Sequence, residues 1–135
     1  MPADKPVILF IDDAPDILMI SAIRLRKLGY EVLTASSGDE GIKIAEEAKP
    51  ALIFLDIMMP GKDGIRVCRE IKSNPALKHV PVILFTALSK DIVEEKVHEA
   101  GADGYIIKPF EPDELLGMVN KYCAGPDAEN NGRAS

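Results

Sequence analysis

The 135-residue chain is 47% apolar and carries 16 basic against 22 acidic residues, for a formal net charge of −6. This length fits one domain with a proper core, the apolar fraction argues against a disordered chain, and the acidity argues against direct nucleic-acid binding. Cys68 and Cys123 have neither metal-ligand spacing nor a neighbouring histidine, and no N-terminal run suits a signal peptide or a membrane span, so a cytoplasmic protein with idle, buried thiols is expected.

In chain order, "PVILFID" (6–12) reads as a strand without polar alternation, as in a parallel sheet covered on both faces. Residues 15–28 read as a helix. Leu18, Ser21, Leu25 and Leu28 form its inward stripe, Pro15 sits in its first turn and Gly29 stops it. Met19 and Ile23 fall on the opposite side at helical spacing, a candidate docking strip. "YEVLTA" (30–35) alternates more and suits a sheet edge. A helix over 38–48 follows Ser37 and Glu40, which have the spacing of a capping box.

"ALIFLD" (51–56) is a third strand that ends on a carboxylate, and a helix over 64–73 follows Asp63. Met58 and Met59, between them, read as packing residues, since thioethers are poor partners for a hard cation. "VPVILFT" (80–86) is the fourth strand, and the helix over 90–100 runs from Ser89 to a stop at Gly101. In it, "EEK" (94–96) reads as a solvated face, and His79 and His98 are expected at the surface. "GYIIK" (104–108) is the fifth strand, and a last helix over 112–123 opens with Pro112, Asp113 and Glu114. Residues 124–135 are polar and aperiodic, a disordered tail or the start of a linker after a domain spanning 1–123.

Five repeats of strand then helix imply an α/β fold, a doubly wound parallel sheet with helices on both faces. In such sheets functional groups collect where strand order reverses, at the carboxyl ends of the strands. Strand one ends in Asp12 and Asp13, strand three in Asp56, strand four in Thr86 and strand five in Lys108. In the flavodoxin-like order 2-1-3-4-5, strands one and three are neighbours, so three carboxylates meet in one crevice. Lys108 supplies one positive charge, and the remaining negative charge suits Mg²⁺ with oxygen ligands. A cation, a lysine and a hydroxyl around a carboxylate are the parts that phosphoryl transfer needs, and a carboxylate can itself be the nucleophile.

"FIDDAPD", "IFLDIMMPGKDG", "ILFTA" and "GADGYIIKPF", in that order and spacing, resemble the receiver domain of two-component response regulators, the family of the chemotaxis regulator, from about Pro6 to Tyr122. The resemblance implies that Asp56 is the phosphoacceptor. It implies that Asp13, Asp56 and the backbone carbonyl of Met58 bind Mg²⁺, with Asp12 helping through water. Lys108 would pair with the phosphoryl group and form a cis peptide with Pro109, while Thr86 and Tyr105 would form a coupled switch. The implied donor is a sensor histidine kinase or a histidine phosphotransfer protein, met largely through the first helix. The implied readout is an output domain or protein that senses the face of helix four, strand five and helix five. The chain would catalyse its own phosphotransfer without turning over a small molecule. Met58 and Leu88, two beyond the acceptor and two beyond the switch threonine, are apolar and cannot orient a hydrolytic water, which predicts slow self-dephosphorylation. The last helix, with Gly117 and no Arg, departs from the charged pairing of dimerising regulators, so a monomer or weak phosphorylation-dependent dimer is expected.

Taken singly, these residues have plainer readings: helix caps for Asp12 and Asp13, a strand-end hydroxyl for Thr86, a core-rim ring for Tyr105, a solvated Lys108. Their joint placement at successive strand ends is what favours chemistry. An aspartyl-phosphate phosphatase of the haloacid dehalogenase type would need a D-x-D-x-T context where this chain has "DDAPD". A constitutive binding module would not need the acidic triad, Thr86 and Lys108.

Overall fold

The computed structural model describes residues 5–13, 19–58 and 63–123. Within them run β1 (Val7–Ile11), α1 (Met19–Lys27), β2 (Glu31–Ala35), α2 (Gly38–Ala48), β3 (Leu52–Asp56), α3 (Gly64–Ser73), β4 (Val82–Thr86), α4 (Lys90–Ala100), β5 (Gly104–Ile107) and α5 (Pro112–Tyr122). All strand pairs are parallel and the order is β2-β1-β3-β4-β5, the doubly wound flavodoxin-like arrangement expected.

Strand alternation sorts the apolar residues onto two cores. Leu9, Ile11, Ile53, Leu55 and Leu84 face α2, α3 and α4, while Ile8, Phe10, Phe54, Phe85 and Ile106 face α1 and α5. Every residue of β3 and β4 is buried, which is why these segments carry no polar alternation. Cys68 and Cys123 are free, buried thiols on opposite faces of the sheet.

Several local expectations shift. Ser21 and Leu25 face inward, but Leu28 is 64% exposed. The helix ends at Lys27, and Leu28 enters a turn that Gly29 closes at φ +99°, a conformation that favours glycine. Pro15 and Leu18 lie outside the described residues, as does Met59. The Ser37 hydroxyl accepts the Glu40 N–H at 3.2 Å, yet the Glu40 carboxylate takes the N–H of Ser36 at 2.8 Å, so the box is displaced by one residue. Asp63 caps α3 through the Ile65 N–H at 2.9 Å. Ser89 makes no side-chain cap, and its carbonyl takes the Val93 N–H. Gly101 ends α4 at φ +76°. His79 and His98 are exposed. Among the described residues no helix is long and apolar enough to cross a membrane.

Candidate functional site

The carboxyl ends of β1 and β3 lie side by side, with Ile11 opposite Leu55. β1 stops at Ile11, one residue before the predicted acids, but the Asp12 N–H still donates to the Ala35 carbonyl at 2.9 Å and holds the chain in line with the strand. Asp12, Asp13 and Asp56 each bring a carboxylate oxygen within 4.8 Å of the other two. Asp12 and Asp56 are buried and Asp13 is exposed. Lys108, just past β5, places Nζ 3.2 Å from Asp56 and 3.4 Å from Asp12, and its peptide bond to Pro109 is cis. The site therefore gathers three formal negative charges around one positive charge, with two of the acids out of water.

That imbalance is what a divalent cation relieves, and the donor set consists of oxygens, as Mg²⁺ requires. The exposed side at Asp13 leaves room for waters and phosphate oxygens. The residues present therefore fit the group. The Asp56 carboxylate is further fixed by the Met58 N–H, which donates to Oδ1 at 2.9 Å. The Met58 side chain does not pack as expected. It is 58% exposed, because the chain has left the sheet and Ile57 takes the buried position.

Thr86 ends β4 next to the site, fully buried, and its hydroxyl accepts the Leu88 N–H at 3.3 Å. Tyr105, opposite Leu84 in the β4–β5 pair, is half-buried against the α2–α4 core. Its hydroxyl donates to Glu94 of α4 at 2.8 Å, and this hydrogen bond to a carboxylate is the main cause that raises the phenol's pKa above 10.0. Glu94, read from sequence as a solvated residue, is thus a partner of Tyr105. The two lie eleven positions apart, so no local spacing signals the pair; only the α4–β5 packing could have done so. Sequence reasoning also missed Phe85, whose ring centroid lies 4.6 Å from Lys108 Nζ.

The family profile of the response regulator receiver domain matches residues 8–120. The chain belongs to that family: it is a response regulator receiver domain, the phosphoacceptor module of two-component systems. It is 43% identical over 127 residues to a probable transcriptional regulator, ycf27, of Porphyra purpurea, covering 94% of this chain and 51% of that protein. It is 40% identical over 112 residues to the alkaline phosphatase synthesis transcriptional regulatory protein PhoP of Bacillus subtilis, covering 83% and 46%. The chain thus spans about half the length of these curated relatives. A putative response regulator from Chloroflexus aurantiacus superposes with a TM-score of 0.83 at 32% identity, over 90% of this chain and 100% of that one. The BeF3-activated N-terminal receiver domain of RstA from Klebsiella pneumoniae gives 0.78 at 32% identity, over 88% and 99%.

Proposed function

We propose that Asp56 is the phosphoacceptor. The observation that carries this reading is the contact of a buried strand-end carboxylate with Lys108 inside a cluster of three acids. In the reaction an Asp56 Oδ attacks the phosphorus of a phosphohistidine on a sensor kinase or phosphotransfer protein. The P–O bond forms as the P–N bond breaks, and the departing electron pair stays on the imidazole nitrogen. Lys108 sits 3.2 Å from the carboxylate, close enough to pair with the incoming phosphoryl oxygens. The Met58 N–H orients the carboxylate from the other side. Asp12, Asp13, Asp56 and the Met58 carbonyl would hold Mg²⁺, which neutralises charge on the phosphoryl group when bound. The chain is a signalling regulator whose self-catalysed transfer produces a phosphoprotein rather than a released product.

Thr86 and Tyr105 form the switch in this reading. In this structure each is engaged away from Asp56, Thr86 by the Leu88 N–H and Tyr105 by Glu94. Phosphorylation draws the Thr86 hydroxyl toward the phosphoryl oxygens and frees Tyr105 to change rotamer, shifting a two-state equilibrium of the α4–β5–α5 face. An output domain or protein reads that face. The donor docks on α1, where Met19, Ile20 and Ile23 are exposed beside a groove of about 450 Å³ lined by Ala87, Pro109, Phe110 and Pro112. Unchanged phosphotransfer in a Met19→Glu, Ile23→Glu variant would remove that docking surface. The functional unit spans residues 1–123 and works in the cytoplasm. The polar stretch 124–135, which lies outside the described residues, serves as a tail or linker.

The test is beryllofluoride, a phosphoryl mimic, added with Mg²⁺ and followed by NMR. The expected result is saturable binding with shifts at Thr86, Tyr105 and α4 that are lost in Asp56→Asn. Shifts confined to the acidic cluster would overturn the switch, and no binding would overturn the site.

A further inference from the structure

Asp12 and Asp56 stand two residues beyond Phe10 and Phe54, and Lys108 stands two beyond Ile106. Alternation therefore puts all three charged groups over the α1–α5 face of the sheet, the face that holds the aromatic cluster. Phe85 lies in that cluster, 1% exposed, with edge-to-face contacts to Phe10 at 6.5 Å, Phe54 at 6.3 Å and Phe110 at 6.5 Å. The Lys108 ammonium sits over the Phe85 ring, 4.6 Å from its centroid. The face of an aromatic ring carries negative quadrupole density and attracts a cation without accepting one of its conventional hydrogen bonds. The ring can thus hold the ammonium from below while its N–H groups remain for Asp12, Asp56 and an incoming phosphoryl oxygen. A lysine on a flexible four-carbon stem otherwise loses rotamer entropy each time it is placed. Phe85 is itself immobilised by three other rings, so it is a fixed partner for that purpose.

We propose that Phe85 is a positioning residue for phosphoryl transfer: its ring face holds the Lys108 ammonium beside Asp56 before the phosphoryl group arrives. The proposal rests on the assignment of Lys108 as the group that pairs with the phosphoryl. An aliphatic side chain would fill the same space in the core but would not attract the cation.

The test replaces Phe85 with mono-, di- and trifluorinated phenylalanine, which weakens the ring face stepwise while nearly keeping its shape. The rate of Asp56 phosphorylation by phosphoramidate in saturating Mg²⁺ should fall stepwise, by roughly three- to tenfold over the series. The melting temperature should stay level, which a purely packing role cannot explain alongside the falling rate. In the metal-free protein, the Lys108 ε-methylene protons should show an upfield ring-current shift that Phe85→Leu abolishes. A flat rate series in a protein whose unsubstituted form is phosphorylated at Asp56 would overturn the positioning role and leave the site intact. Absence of the ring-current shift would remove the contact itself. Failure of the unsubstituted protein to become phosphorylated would overturn both readings together.

Discussion

Replacing Asp56 by Asn should abolish phosphorylation and yet stabilise the metal-free fold. Asp56 faces two carboxylates within 4.8 Å, each repelling it by about 3.5 kcal/mol at an effective dielectric of about 20. Lys108, at 3.2 Å, attracts it by about 5 kcal/mol on the same scale. Asp13 is exposed and water screens its share, so the paired repulsions exceed the single attraction by at most about 2 kcal/mol. Asn keeps nearly the same volume and an oxygen for the Met58 N–H, but its amide N–H then faces Lys108 where a carboxylate oxygen accepted, which trims the gain. In EDTA the variant should gain about 1 kcal/mol, a rise in Tm of about 3–5 °C for a domain of this size. Mg²⁺ reverses the order. At a hundred times its dissociation constant it should stabilise the native protein by about 2.7 kcal/mol, and the variant, short of a ligand, by much less. Thermal melts in EDTA and in excess Mg²⁺ measure both shifts. A variant that melts lower in EDTA, or that gains as much from Mg²⁺ as the parent, would refute the charge argument.

Three further outcomes follow from particular residues. Phosphorylated protein should lose its phosphoryl group slowly, because Met58 is exposed and apolar and Leu88 packs against the core; Met58→Asn with Leu88→Glu should speed the loss, read by timed mass spectrometry. Gly64→Ala should destabilise the fold and disturb the placement of Asp56, since its Cβ would collide with the Ile57 backbone and lie 2.9 Å from the Asp56 carbonyl oxygen; denaturant melts check the first effect and phosphorylation rates the second. Burial, with Asp103 adding to it and Lys72 opposing it, pushes the Cys68 thiol from 9.0 to about 11. A raised acid favours the protonated native form, so this contribution is complete below pH 9 and is lost as pH rises through 11. Guanidinium melts across that range should show a decline that Cys68→Ala lacks.

The order of elements and the sheet topology were legible because burial on both faces leaves a strand wholly apolar, as in β3 and β4, and because glycine marks the ends of α1 and α4. The acids and Lys108 were legible only together: each alone has a plain reading, but charged residues that close several apolar runs meet at one edge of a parallel sheet. What could not be read depends on contacts between distant segments. Leu28 fits the helical period, but the turn at Gly29 takes it out of the helix. Met58 looked like core until Ile57 proved to occupy the buried position. The Tyr105–Glu94 hydrogen bond joins residues on different elements, and the stacking of Lys108 over Phe85 arises only when β4 and β5 pair.

The most direct measurement is the site of acyl-phosphate formation. The protein is incubated with phosphoramidate and Mg²⁺, the acyl phosphate is trapped by borohydride reduction, and the modified residue is mapped by mass spectrometry. The account predicts one phosphoryl group per chain, on Asp56, absent in EDTA and in Asp56→Asn. Phosphorylation on Asp12 or Asp13, or the same yield in Asp56→Asn, would contradict it.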